Sequence, residues 1–186
     1  KNFEDVLIVA SRSQYDGLLE LLQSKNGSSD LQDRKKFAAM AFNVTSHYDT
    51  AIFNYFNREF QLPSFKKSIL QGRALRYGEN PHQRGTYYGD FDALFEQLHG
   101  KELSYNNLVD VDAAINLVHE FEGEKAFVII KHTNACGVAT GSTVREAYLK
   151  ALQADTVSAF GGVLATNQTI DQAAAEEINK LFFEIL

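Results

Sequence analysis

Lys131 and His132 stand side by side at the end of an apolar run, Ala126-Phe127-Val128-Ile129-Ile130. An ammonium can stabilise a developing oxyanion, and an imidazole can take a proton near neutral pH. Histidine after a strand is more often a hydrogen-bonded loop residue than a catalyst, so the pair becomes a candidate site only through its surroundings. Asn134 and Gly137 follow closely, and Thr143-Val144-Arg145-Glu146 reads as a T-x-x-E capping box. The helix it opens would carry Val144, Ala147, Tyr148, Ala151 and Leu152 on one apolar face. The expected plan is a buried strand, a polar loop and a capped helix. Ligands of open α/β sheets bind beyond the carboxyl ends of such strands.

Three further stretches could contribute to a site. Leu75-Arg76-Tyr77-Gly78-Glu79-Asn80-Pro81-His82-Gln83 lacks apolar periodicity and contains a turn-forming Asn-Pro step. Within it Arg76 could clamp a phosphate beside the Tyr77 ring, or serve as a structural arginine in an exposed loop. Asn106-Asn107 precedes a helix expected from Asp110 through Phe121, where paired asparagines could bind a ligand or simply cap. Ser158-Ala159-Phe160-Gly161-Gly162 leads into the strand Val163–Thr166, and adjacent glycines admit close approach of the backbone to a ligand but are also common at strand entries for plain steric reasons.

The rest of the chain must position these groups. Val6–Ala10 reads as a short buried strand, and Ser13-Gln14-Tyr15-Asp16 as the cap of a helix bearing Leu18, Leu19, Leu21 and Leu22. Ser29 and Gln32 form a second capping box, opening a helix through Phe37, Met40 and Ala41. A further helical pattern runs through Tyr48, Ala51, Ile52, Tyr55 and Phe56, whose aromatics read as helix-packing core. Pro63 and Lys66-Lys67 mark the expected linker, with the lysines as a solvated hinge. A last helix begins near Asp171.

At 186 residues, 45% hydrophobic and 23% charged, the chain can bury one good core or two small ones. A net charge of −6 argues against a broad nucleic-acid surface, and no apolar run approaches the roughly 20 residues that span a bilayer. The single Cys136 precludes an intrachain disulfide and suits a reducing, cytoplasmic setting. Lys1 in place of Met and an apolar close at Leu181-Phe182-Phe183-Glu184-Ile185-Leu186 read as a piece cut from a longer protein.

Four ordered motifs, Leu75–Gln83, Gly100–Asp110, Lys131–Gly137 and Ser158–Gly162, resemble the bifunctional purine-biosynthesis family that combines AICAR transformylase with IMP cyclohydrolase. The resemblance extends upstream through residues 1–16 and 41–55. It implies an α/β chain in which residues 1–68 end a cyclohydrolase domain and residues 69–186 begin a transformylase domain of cytidine-deaminase-like fold. The implied reactions are formyl transfer from 10-formyltetrahydrofolate to AICAR and closure of the product, FAICAR, to IMP. The resemblance matches His132 to the base, Lys131 to its neighbouring cation, and Arg76, Tyr77, Asn107, Gly161 and Glu184 to nucleotide contacts. Lys1 falls on a lysine associated with cyclohydrolase chemistry. A homodimer is implied, as is folate as cosubstrate.

The implied chemistry suits these residue types. The AICAR amine is a poor nucleophile because its lone pair is delocalised, so a base that removes its proton during attack should help. Ala135 replaces the family's usual proline, which removes a fixed φ from the stretch after His132 without removing a reacting group. A zinc site of deaminase type is not expected, because one cysteine cannot form the paired Cys-x-x-Cys it requires. Beside the enzyme, of which this piece is expected to be inactive alone, stand a nucleotide-binding or regulatory module without turnover and a purely structural fragment.

Overall fold

A computed structural model describes residues 2–186, which divide into two compact units with the change near residue 72. The first contains residues up to Gly72 together with Tyr88–Phe91; the second contains Arg73–Tyr87 and Asp92–Leu186.

In the first unit a short 3-10 turn, Arg12–Gln14, leads into helix α1 (Tyr15–Ser24), and a single long helix α2 (Leu31–Phe60) follows. The expected caps lie one or two residues away from the real ones. Ser11 rather than Ser13 caps the first turn, and Asp30 with Asp33 forms the capping box of α2 in place of Ser29 with Gln32. Aspartate also answers the helix dipole, and Lys25 pairs with both Asp30 and Asp33 at 2.6 Å.

Three expectations for this unit are overturned. Val6–Ala10 forms no strand, and Val6 and Ile8 are each 48% exposed. No strand pairs with it among the described residues. The two expected helical stretches are one continuous helix, since no glycine or proline interrupts residues 31–60. Nor are its later aromatics core: Phe37 is buried, but Phe42, Tyr48, Tyr55, Phe56 and Phe60 are exposed. In the linker Lys66 and Lys67 are exposed, as expected, but the segment is not free of contacts. It returns along α2, with Lys66 over the Phe53 ring, its carbonyl accepting from Asn54, and Ser68 bonded to His47.

The second unit carries the candidate site. Short strands β1 (Gly72–Ala74) and β2 (Thr86–Tyr88) pair around the 75–85 loop. Then come α3 (Tyr105–His119), β3 (Lys125–Lys131), β4 (Asn134–Gly141), α4 (Val144–Ala154), β5 (Gly162–Thr166), α5 (Gln172–Ile178) and β6 (Phe183–Ile185). The sheet order is β4-β3-β5-β6, antiparallel except for the parallel β5–β6 pair.

β3 alternates between two cores. Phe127 and Ile129 enter a cluster with Val144, Ala147, Tyr148 and Ala151 of α4 and with Ala174 and Ile178 of α5. Ala126, Val128 and Ile130 point the other way, to Ala114 and Val118 of α3. The unit is thus a three-layer α/β/α arrangement, with both faces of the central strand removed from water.

The plan of strand, loop and capped helix needs one correction, because β4 intervenes. β3 turns directly into β4 through His132 and Thr133, so the polar residues form a tight hairpin rather than a loop leading into α4. Thr143 does cap α4, accepting from the Glu146 N–H, but the Glu146 carboxylate reaches one residue further back, to the Ser142 N–H and hydroxyl. Hydrogen bonds from Lys150 and then Ser142 hold the Glu146 carboxyl at about 2, below the ordinary 4.5.

Two expected outcomes follow. A Cβ at Gly137 would overlap the Ala151 carbonyl oxygen, so β4 meets α4 closely only because residue 137 has no side chain. Gly137→Ala should destabilise the second unit by on the order of 1–3 kcal/mol, read by chemical denaturation. For Glu146, a lowered folded pKa means stabilisation that is present above pH 4.5 and lost as pH falls through about 2. Glu146→Gln should therefore unfold more easily than the unmodified chain at neutral pH, and the gap should close in thermal melts taken toward pH 2.

Candidate functional site

The site assembles at the end of the sheet where β3 finishes and β5 begins. Because these strands are antiparallel, with Ile130 opposite Val163, Lys131 lies beside the Phe160-Gly161-Gly162 entry to β5. Lys131 Nζ donates to the Phe160 carbonyl oxygen at 2.7 Å. Gly161 takes φ +73°, and its N–H donates to the Phe182 carbonyl at 2.8 Å, which ties this entry to the start of β6. A Cβ at Gly162 would come within 3.0 Å of the Ile130 carbonyl oxygen. The glycine pair therefore serves two ends: one residue for backbone conformation, the other for close strand approach.

Helix α3 enters from the opposite layer. It begins at Tyr105 rather than Asp110, so Asn107 lies inside its first turn. Ser104 and Asn107 form a capping box, with Asn107 Oδ1 accepting from the Ser104 N–H and hydroxyl. That leaves the Asn107 amide nitrogen free to reach Glu184 of β6 at 3.4 Å. Capping and side-chain presentation are thus both true of this asparagine. Three residues on, along the same helix face, Asp110 Oδ1 accepts from the Thr133 N–H at 2.7 Å.

The 75–85 loop lies against the entry to this helix. The Arg76 N–H donates to the Leu103 carbonyl, the Tyr105 N–H to the Tyr77 carbonyl, and the Asn106 amide to the Glu79 carbonyl. Arg76 lies 4.8 Å over the Tyr77 ring and donates to its hydroxyl at 3.0 Å. The guanidinium is exposed and makes no ion pair among the described residues, leaving donors free for an anion. Beside this step is an open cavity of about 470 Å³ lined by Gly78, Glu79, Gln83, Arg84, Gly85 and Tyr105.

His132 and Thr133 take φ +51° and +61°, the type I′ pattern of a two-residue hairpin, at positions that usually hold asparagine and glycine. The His132 carbonyl accepts from the Thr133 hydroxyl at 2.6 Å and the Asn134 amide at 2.8 Å. The His132 side chain is exposed at the tip. Just beyond, Ile130 pairs with Ala135 while Ile129 pairs with Gly137, so Cys136 is the extra residue of a bulge. Ala135 therefore stands on an edge strand beside a bulge, where a proline is also tolerated.

Electrostatics distinguish the polar groups here. Burial raises the Cys136 thiol, Asp155 and Asp110 add to that, and Lys131 opposes it, so the thiol is poorly suited to act as a nucleophile. Bonds from Ser158 lower the Asp155 carboxyl, with Lys131 contributing. Of the expected site residues, Lys131, His132, Gly161, Asn107, Glu184, Arg76 and Tyr77 all belong to the second unit. Lys1 lies outside the described residues. Asp110 and the Phe160 carbonyl are additional members. A carboxylate spaced three residues from Asn107 was the available sign for Asp110, whereas a backbone carbonyl leaves none.

Comparison with known proteins decides the family. A family model described as AICARFT/IMPCHase bienzyme matches residues 1–186. The chain belongs to the AICARFT/IMPCHase bienzyme family. It is 55% identical over 186 residues to the bifunctional purine biosynthesis protein PurH of Bacteroides thetaiotaomicron, covering all of this chain and 36% of that protein. Proteins of the same name from Acetivibrio thermocellus and Bradyrhizobium diazoefficiens are 42% and 43% identical, again over all of this chain and over 38% and 37% of their own lengths. The chain thus spans a little over a third of these relatives. No helix among the described residues is long and apolar enough to cross a membrane.

Within this member of the bienzyme family, Gly161→Ala should cost about 1–2 kcal/mol through its left-handed backbone alone. A Cβ there meets nothing closer than Phe182 ring carbons at 3.8 and 3.9 Å. Denaturant unfolding of the variant checks the magnitude.

Proposed function

We propose that this chain supplies the nucleotide end of an AICAR transformylase site, in a protein that also closes the formylated product to IMP. The observation that carries the reading is the convergence of Lys131, Gly161, Asn107 and Glu184 on one end of a single sheet, with the Arg76-Tyr77 step bonded to the entry of α3. Family membership and the relatives' shared name, a bifunctional purine biosynthesis protein, support it. In this reading residues 1–68 end the cyclohydrolase domain and residues 69–186 open the transformylase domain; the change of compact unit near residue 72 supports that division. Lys1 belongs to the cyclohydrolase chemistry, 10-formyltetrahydrofolate is the cosubstrate, and the working protein is a cytoplasmic homodimer.

The residues divide the work by their chemistry. Arg76, exposed and backed by the Tyr77 ring, binds the nucleotide phosphate. Asn107 and Glu184 offer donor and acceptor groups to the nucleotide, and the Gly161 backbone lets it approach closely. His132 takes the proton of the AICAR amine as its nitrogen attacks the formyl carbon. Lys131, anchored on the Phe160 carbonyl, stabilises the oxyanion of the tetrahedral intermediate. Collapse of that intermediate expels the folate nitrogen, which leaves with a proton.

Steady-state formyl transfer and direct AICAR binding test this in the whole protein. His132→Ala should lower the rate by roughly 10²–10⁴ with much less change in AICAR affinity. Arg76→Ala should act chiefly on binding, because the phosphate carries similar charge in ground and transition states. Near-normal turnover in His132→Ala, accompanied by weakened AICAR binding, would make His132 a ligand contact and reject it as the base.

A further inference from the structure

The hairpin that presents His132 is built against its own residue preferences. Both of its central residues take left-handed backbone, which an L-residue with a Cβ adopts only at a cost, and Thr133, being β-branched, is especially unsuited to it. Strain of this kind persists only where the surroundings over-determine the conformation. Most of the bonds that do so are local: the Thr133 hydroxyl and Asn134 amide both close on the His132 carbonyl. One is not. The Thr133 N–H donates to Asp110, 23 residues earlier in the chain and in the helical layer that packs on β3.

We infer that Asp110 is a positioning residue for the transformylase reaction, tethering the strained His132-Thr133 turn to helix α3 so that the imidazole is aimed at the nucleotide. The inference rests on the reading of His132 as the base. A carboxylate suits the task because a charge-assisted bond to a backbone N–H is short and strong, here 2.7 Å. Its anchor is also firm. Asp110 is half-buried on a helix whose Ala114 and Val118 pack under β3 itself, so the strand that carries the turn and the helix that holds it share one core. Asn107, one turn earlier on the same face, reaches Glu184. A single helix face therefore aligns the nucleotide contacts with the base, and the relative placement of the two no longer depends on the hairpin alone.

Three substitutions separate this role from general support of the fold. Asp110→Asn keeps an oxygen that can accept from the Thr133 N–H, whereas Asp110→Ala removes it. Thr133→Gly removes the conformational penalty at that one position, since glycine takes positive φ freely. In the whole protein, Asp110→Ala should lower kcat for formyl transfer roughly 10- to 100-fold while AICAR affinity stays within about threefold, because a misplacement near 1 Å is enough for such a loss. Asp110→Asn should lose no more than about threefold, and adding Thr133→Gly to Asp110→Ala should recover about tenfold or more. Amide exchange at Thr133, followed in the same variants, should quicken in Asp110→Ala and stay slow in Asp110→Asn. A normal kcat in Asp110→Ala, an equal fall in Asp110→Ala and Asp110→Asn without recovery by Thr133→Gly, or unchanged Thr133 exchange would each overturn the inference. Absence of formyl transfer by the unmodified whole protein would instead reject the proposed function, and the exchange measurement would still decide whether Asp110 holds the turn.

Discussion

Because Ala126–Ile130 is buried on both sides, the second unit must place a helical layer against each face of β3. Every side chain from Ala126 to Ile130 is at most 1% exposed. A fully buried Phe or Ile contributes about 1.5–3 kcal/mol relative to an exposed one, so the run can be satisfied only with α4 and α5 on one face and α3 on the other. Antiparallel partners, β4 and β5, close its hydrogen bonds on both edges. With the strand held on all four sides, its last residue, Lys131, has a defined address.

The same constraint explains why polar residues gather at this end. The antiparallel β3–β5 register puts the glycine entry to β5 next to Lys131, and the parallel β5–β6 pair brings Glu184 to the same edge. Helix α3 packs beneath β3 with its first turns at that edge, which carries Asn107 and Asp110 there. Positive φ at His132, Thr133 and Gly161 falls in the two backbone segments at this edge, where hydrogen bonds to the Asp110 carboxylate and the Phe182 carbonyl hold it. The first unit shows the contrast. Its long helix buries Phe37 but leaves five later aromatics exposed, and none of the proposed nucleotide contacts belongs to it.

Elements whose physics is local are legible in the sequence. The strand through Ile130, the helix capped by Thr143, the helix after Asp171 and the strand through Thr166 lie where periodicity and caps put them. Cap assignments shifted by a residue or two in the first unit, since serine and aspartate compete for the same role and the sequence does not rank them. The start of α3 was displaced from Tyr105 to Asp110, because paired asparagines read as a cap when one of them lies within the first turn. Strand β4 carries no such signal: Asn134–Gly141 is rich in small residues and bulged at Cys136, so it has neither alternation nor a long apolar run.

The sequence by itself determined the chemical types available, Lys131, His132, Arg76, Asn107, Gly161 and Glu184, and the buried strand that ends among them, because composition, periodicity and motif spacing are properties of neighbouring residues. Through its motifs it also pointed to the family to which the chain belongs. Only the tertiary structure decided that His132 rides on a two-residue hairpin, that Lys131 is anchored by a carbonyl 29 residues away, and that Asp110 grips the turn from another layer. Those outcomes depend on strand register and on which helix covers which face. Both are set by burying two cores at once, a condition that no local stretch of sequence expresses.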